Sequence, residues 1–315
     1  MDNQGIARTP TISDALFEGL ALDVERDAPI GSLTWYRVGG SAEALVDPED
    51  EASLGTLLSR CAESSVPVRV LGSGANLLVS EAGVPGVVIR LTHKSFRMLR
   101  GLEDRSGRLV VGSGYDLMRL VNETAREGLS GLEGLAGVPA TVGGAIRMNA
   151  GGAYGQIADV VRSVRVMDLD GTTTTLEREQ IPFGYRRSGI EQPLILEAVL
   201  QLECVGGEAV YLRKKEIFAK KTTEQPFADA TAGCAFKNPV DEAGRQVDSA
   251  GRLIDACGLK GARVGGAYVS EVHANFIAAG AGATADDVIQ LFRQVQERVE
   301  AATGVRLVRE VVVWP

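Results

Sequence analysis

The stretch GLAGVPATVGGAIRMNAGGAYG, residues 134–155, is dense in glycine, and the rest of the chain can be interpreted around it. Ordered glycines lose much backbone entropy and contribute few packing contacts, so such a run needs a compensating interaction. Close approach of the backbone to a large flat ligand is one such interaction. Tight contact between buried elements is the other, and this stretch alone does not decide between them.

A second glycine cluster, VLGSGANLLVS at residues 70–80, precedes the first. Small residues between a strand and a further apolar run allow backbone N–H groups to point outward and hold a phosphate. The cluster lacks the Lys-Ser/Thr ending of a P-loop and the spacing of a dinucleotide fingerprint. A tight turn without a ligand is the competing interpretation, because glycine serves turns more often than ligands.

The segments around both clusters mix strands with helices. Short β-branched runs flank a helical stretch around Glu51 to Cys61, and a further helix is predicted around Leu117 to Glu127. Residues 128–155 are predicted to form a glycine-rich loop region. The Asp170-Gly171 pair between two strand patterns predicts a β-hairpin.

The two ends of the chain carry helical patterns of their own. Ile12, Leu16, Leu20 and Leu22 have helix-like spacing, which predicts an N-terminal helix. A Lys-rich helix over residues 208–225, a helix over 286–303 and a last strand over 305–314 are predicted near the other end. Strands and helices do not alternate regularly, so we expect an α+β fold. The expected units are a segment 1–30, a domain 31–204 with subdomains of about 31–92 and 93–204, and a C-terminal domain 205–315.

Composition narrows the class of protein. The chain has 315 residues, 45% of them hydrophobic, and a formal net charge of −8. That charge disfavours nucleic acids and anionic membranes as partners. The cysteines are far apart without metal-ligand spacing, so we expect neither a metal nor a disulfide framework. The N-terminus MDNQGIARTP lacks a signal pattern and no apolar run approaches membrane-spanning length, which favours a cytoplasmic protein.

A series of seven motifs identifies a family. They are WYRVGG (35–40), VLGSGANLLVS (70–80), GLEGLAGVPATVGGAIRMNAG (131–151), GYRRS (184–188), AGCAFKNP (232–239), SAGRLIDACGLKGARVGGAYVSEVHANFI (249–277) and REV (309–311). In this order they resemble the UDP-N-acetylenolpyruvoylglucosamine reductase family, in its shorter subtype, from about Leu33 to Val312. Seven motifs in the family's order are hard to obtain by chance.

The resemblance implies an FAD-binding fold of the PCMH or vanillyl-alcohol-oxidase type, with two α+β subdomains and a C-terminal α+β substrate-binding domain. It further implies NADPH as reductant, UDP-N-acetylglucosamine enolpyruvate as substrate and UDP-N-acetylmuramate as product, with no obligate protein partner. FAD is expected to be noncovalent, because neither glycine cluster contains histidine or cysteine. The residues expected beside FAD are Tyr36, Gly72, Ser73, Gly74, Ala75, Asn76, Leu77, Gly137, Val138, Pro139, Thr141, Gly143, Gly144, Asn149 and Ile157.

The resemblance also implies three catalytic residues. Arg186 matches the family's arginine and would pair with the substrate carboxylate. Cys234 occupies the position where most members carry a serine as proton donor. An unperturbed thiol has a pKa of about 8.5, so it is expected to give up its proton readily and to be open to alkylation. Glu310 matches the family's C-terminal acid and would assist Arg186.

Each of these residues has a structural alternative, and the whole chain has rival functions. Arg186 and Glu310 could form ordinary ion pairs, and Cys234 could be a small buried apolar residue. Tyr185, Lys237, Asn238 and His273 are expected to line the substrate site, whereas Glu224 is given no role. The rivals are another flavoenzyme of the same fold, such as an oxidase, and a non-catalytic binding module.

Overall fold

The computed structural model describes residues 12–104, 106–241 and 245–315. Several helices begin at side chains that accept a hydrogen bond from the first turn, including Asp50, Asp116 and Thr284. The helices predicted around 51–61, 117–127, 208–225 and 286–303 are confirmed. The α-helices of the described residues are α1 (Glu51–Glu63), α2 (Leu117–Arg126), α3 (Val142–Arg147), α4 (Gly207–Glu224), α5 (Ala250–Ala256) and α6 (Ala285–Thr303).

The first sheet has four strands in the order β1-β2-β5-β3. Its first pair is antiparallel and the others are parallel. The apolar face of α1, with Leu54, Leu57 and Leu58, is buried in a core with Val87 and Ile89 of this sheet. The strands of this region are β1 (Leu22–Ala28), β2 (Ala42–Pro48), β3 (Val68–Val70), β4 (Leu77–Val79) and β5 (Val84–Ile89).

The second sheet has five antiparallel strands in the order β12-β11-β13-β7-β6. The hairpin predicted at Asp170-Gly171 is confirmed, and Gly171 has the positive φ of 81° that glycine tolerates. Helices α2 and α3 contribute side chains to the core beneath this sheet. The strands of this region are β6 (Leu99–Arg100), β7 (Arg108–Gly112), β8 (Leu129–Ser130), β9 (Gly151–Gly152), β10 (Gly155–Gln156), β11 (Val161–Met167), β12 (Thr173–Glu177), β13 (Leu194–Gln201) and β14 (Glu203–Cys204).

The third sheet has four antiparallel strands in the order β15-β18-β17-β16. Side chains of α5 and α6 bury its inner face, with Phe236 and Phe292 in edge-to-face contact at 5.9 Å between ring centroids. The remaining strands are β15 (Thr231–Cys234), β16 (Arg263–Val264), β17 (Ala267–Val269), β18 (Phe276–Ala279) and β19 (Val312–Trp314).

The last strand pairs with a strand from the first part of the chain. β19 pairs in parallel with β4, which forms the end of the glycine cluster at residues 70–80. Val312 lies opposite Leu77 and Trp314 opposite Val79. The residues just before β19 are therefore held next to that cluster.

Two local predictions are wrong. The N-terminal helix is replaced by one 3-10 turn, Asp14–Leu16, followed by β1 from Leu22. Ile12 and Leu16 still bury their side chains in the core with α1, so the apolar spacing correctly indicates which residues are buried. The backbone conformation from Leu22 onward is determined by sheet pairing with β2. The predicted loop at 128–155 contains α3 and three short strands.

The sequence also predicts the extent of the final strand, an N-terminal segment and a chain without membrane-spanning helices. The final strand is shorter than predicted and covers Val312–Trp314. Residues 1–11 of the predicted segment 1–30 lie outside the described residues. None of the described helices is both long and apolar enough to cross a membrane. The domain boundaries remain predictions.

Candidate active site

The two glycine clusters meet in space. Ser73 Oγ donates a hydrogen bond of 2.9 Å to the carbonyl of Pro139. A Cβ on Gly72 would lie 3.0 Å from Thr141 Oγ1, which in turn accepts from the N–H of Gly144 at 3.2 Å. One site is therefore built from segments that are about seventy residues apart in sequence.

The glycines of this site serve two different purposes. A Cβ on Gly74 would approach the Leu33 carbonyl and Thr34 Cα at 2.8 Å, and Gly74 has a φ of +67°, so it is required by the backbone itself. A Cβ on Gly143 would meet Ser113 Cβ at 2.8 Å. By contrast, a Cβ on Gly144 would meet one atom within 4 Å, Thr141 Oγ1. Tight packing explains Gly74 and Gly143, whereas Gly72 and Gly144 keep side chains out of the space between the clusters.

Gly137 and its neighbours are covered by helix α4 and the segment after it. A Cβ on Gly137 would lie 3.1 Å from Phe218 and 3.3 Å from Phe227. The Lys221 ammonium donates to the carbonyls of Gly134 at 2.9 Å and Ala136 at 2.8 Å, and burial lowers its pKa to about 8. Sequence reasoning missed Lys221, because a lysine in a polar helix usually faces solvent.

Several residues expected beside FAD are buried or half-buried in the protein. Tyr36 is buried in the core with Phe236, and burial raises the pKa of its hydroxyl. Leu77 and Ile157 are buried. Asn149 is buried, and its side chain bonds three protein groups. Ala75, Asn76 and Val138 are half-buried.

Arg186 lies at a strained turn. Gly184 and Arg187 exchange backbone hydrogen bonds of 2.9 and 3.2 Å, and Arg186 between them has a φ of +56°. Non-glycine residues rarely adopt this conformation, and strain of this kind is concentrated at functional sites. Arg186 Nη1 donates to the Gly151 carbonyl at 2.6 Å. The turn thus holds the Arg186 guanidinium against the Gly151 carbonyl.

Glu310 meets Arg186 from the other side. Its Oε1 lies 2.6 Å from Arg186 Nε, and its own N–H donates to the Ala235 carbonyl at 2.8 Å. Burial raises the pKa of Glu310, while Arg186 and Lys237 oppose the shift. Its Oε2 is buried without a hydrogen-bond partner among the described residues, and such an oxygen is costly unless a ligand or proton satisfies it.

Cys234 ends β15, beside Ala235 and half-buried. Burial raises the pKa of its thiol to about 12, Glu310 acts in the same direction, and Arg186 opposes them. The expectation that this thiol ionises readily is therefore wrong, because burial and Glu310 were invisible in the sequence. At neutral pH Cys234 carries its proton.

The residues expected to bind substrate differ in their contacts with the cluster of Arg186, Glu310 and Cys234. Tyr185, which is 51% exposed, accepts a 3.3 Å hydrogen bond from the N–H of Asn238 and lies under the Arg186 guanidinium at 5.5 Å. Lys237 is close enough to lower the pKa of Glu310. The side chain of Asn238 bonds Gln246 and the N–H of Ala250.

His273 lies in the loop between β17 and β18. Its Nδ1 accepts from the N–H of Asn275 at 3.1 Å, and burial lowers its pKa. Asn275, which the sequence did not single out, grips the backbone of Phe236 through bonds of 3.0 and 2.8 Å. A polar residue inside the apolar HANFI run was the available signal. In the described part of the chain, no three metal-ligating side chains cluster.

Comparison with known proteins identifies the family. The model of the UDP-N-acetylenolpyruvoylglucosamine reductase C-terminal domain matches residues 225–314, and that of an FAD-binding domain matches 42–177. A UDP-N-acetylenolpyruvoylglucosamine reductase from Rhodopseudomonas palustris (strain BisB5) is 40% identical over 90% of this chain and 88% of its own. One from Bradyrhizobium sp. (strain ORS 278) is 38% identical over 96% of this chain and 95% of its own.

A solved structure agrees with these sequence matches. The crystal structure of UDP-N-acetylenolpyruvylglucosamine reductase from Thermus caldophilus superimposes with a TM-score of 0.78 and 41% identity, covering 93% of this chain and 100% of that chain. The predicted α+β FAD-binding fold is thereby confirmed.

The space between the glycine clusters fits FAD. Gly72 and Gly144 leave it clear of side chains, and Ser113 Oγ beside Gly143 is buried without a hydrogen-bond partner among the described residues. Buried hydroxyls are normally satisfied, so this one is suited to a polar ligand. The chain is an FAD-dependent oxidoreductase that belongs to the UDP-N-acetylenolpyruvoylglucosamine reductase family.

Proposed function

We propose that the chain reduces UDP-N-acetylglucosamine enolpyruvate to UDP-N-acetylmuramate in peptidoglycan precursor synthesis, with NADPH as reductant. The observation that carries this proposal is the cluster of Arg186, Glu310 and Cys234 next to the glycine cluster at residues 70–80. Noncovalently bound FAD supplies the two-electron chemistry that couples NADPH oxidation to reduction of the enolpyruvyl double bond. The protein must bind the substrate, stabilise developing negative charge and deliver one proton.

Arg186 binds the enolpyruvyl carboxylate. Its Nε lies at ion-pair distance from Glu310 Oε1 but makes no hydrogen bond to the described residues, and its Nη1 donates to the Gly151 carbonyl. These contacts fix the plane of the guanidinium and leave a charged N–H edge for the substrate. A planar cation with several donors suits a carboxylate that gains enolate character.

Glu310 completes the carboxylate site by taking up a proton when the anionic substrate binds. Burial raises its pKa, and Oε2 has no protein partner among the described residues. A neutral carboxyl can donate a hydrogen bond to the substrate carboxylate, whereas an ionised one would repel it. Binding an anionic substrate would raise the pKa of Glu310 further, because like charges disfavour ionisation.

Cys234 donates the proton. Its raised pKa keeps the thiol protonated before reaction, and the nearby Arg186 cation stabilises the thiolate that the transfer leaves behind. The substrate carbon that carries the negative charge then accepts this proton. General acid catalysis of this kind requires a group that is protonated at the working pH and lies close to the reacting atom.

The UDP-sugar is bound by residues around this cluster. Lys237 supplies a cation, and Tyr185 presents an exposed ring beside Arg186. Asn238 acts by holding Tyr185 through its backbone, since its side chain is occupied. His273 is retained as a substrate contact through its Nε2 face. A cytoplasmic location and the absence of an obligate protein partner remain part of the proposal.

Turnover by the purified holoprotein tests the function. NADPH absorbance is followed with and without UDP-N-acetylglucosamine enolpyruvate, and the product is identified by mass. We expect substrate-dependent NADPH oxidation and a product that has gained two hydrogens. Oxygen-dependent turnover without this substrate would favour an oxidase, and a flavin spectrum without any turnover would favour a binding module.

A further inference from the structure

The C-terminal end of α3 is hydrogen-bonded to the loop that carries Arg186. The Arg147 guanidinium donates to the carbonyls of Ile190 at 2.6 Å, Gln192 at 2.5 Å and Pro193 at 3.0 Å. The N–H of Ser188 donates to the Arg147 carbonyl at 3.1 Å. A cation that donates to three backbone carbonyls holds that backbone in place.

Asn149 makes the contact closest to the turn itself. It is 3% exposed and has a φ of +43°, a conformation that asparagine tolerates better than most residues. Its Nδ2 donates to the Gly184 carbonyl and to Gln156 Oε1, both at 3.0 Å, and its Oδ1 accepts from the N–H of Ala158 at 3.3 Å. Both donor hydrogens and the carbonyl oxygen of this amide are therefore engaged by protein.

The Gly184 carbonyl is the acceptor that closes the Arg186 turn. It accepts from the N–H of Arg187 at 3.2 Å as well as from Asn149. Two residues after Asn149, the Gly151 carbonyl accepts from Arg186 Nη1. One short segment thus holds both the backbone of the turn and the guanidinium that the turn presents.

We propose that Asn149 is a positioning residue for Arg186 and does not contact the cofactor. This inference rests on the proposed function, because it assigns Arg186 to the substrate. The left-handed conformation of Arg186 is unfavourable for a residue with a side chain, so the turn needs outside support to keep it. The amide of Asn149 supplies that support at the one carbonyl on which the turn closes.

Two substitutions distinguish the role of the Asn149 side-chain amide from that of its positive backbone φ. Asn149→Gly removes the side chain. Because glycine readily adopts a positive φ, this variant is expected to keep the fold. Asn149→Asp keeps the shape and the acceptor for Ala158 but removes the donor to Gly184. Gln156→Ala is the matched control, because it removes the other acceptor of the same amide and leaves the Gly184 bond. Ser73→Ala is the opposite control, since it alters the glycine cluster at Pro139.

Three measurements are made on each holoprotein: FAD affinity, the two half-reactions under anaerobic conditions, and amide hydrogen exchange at residues 184–188. For both Asn149 variants we expect FAD affinity within about 3-fold of wild type and reduction by NADPH within about 3-fold, while reoxidation by substrate slows about 10- to 100-fold, as misplacing a catalytic group does. Exchange at 184–188 should accelerate about 10-fold, the effect of losing one hydrogen bond. Gln156→Ala should change none of these by more than about 3-fold.

The outcomes are separable. If FAD affinity falls together with reoxidation in the Asn149 variants, and exchange at 184–188 is unchanged, Asn149 is a cofactor contact and the inference is wrong. Ser73→Ala should show that pattern, with weaker FAD binding and unchanged exchange. If wild-type protein is not reoxidised by the substrate at all, the proposed function fails, and the exchange measurement still decides whether Asn149 holds the turn.

Discussion

The state of Cys234 offers a prediction with a calculable size. Its thiol has a pKa of about 12 in the fold, against about 8.5 for a free cysteine. At pH 7.5 the thiolate fraction is therefore about 10³- to 10⁴-fold smaller than for an unperturbed cysteine. Because the thiolate is the reactive species, we expect Cys234 to resist iodoacetamide at neutral pH.

The chain contains its own reference for this experiment. Cys204 is exposed, so it should be alkylated at an ordinary rate while Cys234 stays unmodified. Peptide mass mapping at timed intervals measures both sites in one sample. Labelling of Cys234 at a rate within about 10-fold of Cys204 would refute the assigned protonation state.

Substitution then tests whether the protonated thiol is used. Cys234→Ser retains a protonated donor at the same atom and should keep activity within about 10-fold of wild type, whereas Cys234→Ala should slow reoxidation by substrate about 10²- to 10⁴-fold. Reduction by NADPH should survive in both variants. An alanine variant that turns over at the wild-type rate would leave Cys234 with a packing role only.

Three further predictions follow from the same site. Arg186→Lys should lose a few kcal/mol of transition-state stabilisation, on the order of 10²-fold in reoxidation rate, because an ammonium cannot hold Glu310, Gly151 and a carboxylate together; stopped-flow traces with an unimpaired rate would remove Arg186 from the mechanism. Acid denaturation should release all flavin colour, near ~450 nm, into the supernatant, and colour that stays with the precipitate would contradict noncovalent binding. The pKa of Glu310 is raised above its ordinary value of 4.5 in the folded protein. Between the unfolded and the folded pKa, the native state therefore binds more protons than the unfolded state. The free energy of unfolding should fall as pH rises through this range. The Tm of Glu310→Gln, measured against pH, should lack this decline, and identical pH profiles for both proteins would show that Glu310 titrates normally.

Local pattern predicted most elements but not their pairing. The helices at Glu51–Glu63 and Ala285–Thr303 were visible because their apolar stripes match the helical period and capping residues precede them. The segment from Ile12 to Leu22 has similar spacing, yet Leu22 starts a strand that pairs with Ala42–Pro48. Sheet pairing over a distance overrides a local period, and one sequence does not reveal it.

The composition of the site was predictable, whereas its electrostatics were not. The motifs identified Arg186, Cys234 and Glu310, and the structure brings them together through the Arg186–Glu310 ion pair and the backbone hydrogen bond from Glu310 to Ala235. The pKa of the Cys234 thiol depends on burial and on Glu310, which is remote in sequence. Asn149 likewise lies in a glycine-rich motif that suggests a cofactor contact, but its side-chain hydrogen bonds are made to Gln156, Ala158 and Gly184.

The central claim is that the Arg186, Glu310 and Cys234 cluster completes reduction of an enolpyruvyl carboxylate. The most direct test mixes anaerobic holoprotein, previously reduced with one equivalent of NADPH, with UDP-N-acetylglucosamine enolpyruvate and follows flavin absorbance near ~450 nm. We predict rapid recovery of the oxidised spectrum together with one equivalent of UDP-N-acetylmuramate, and slow recovery in the Arg186→Lys and Cys234→Ala variants. A spectrum that stays reduced in the wild-type protein, or recovers equally fast in all three, would contradict the account.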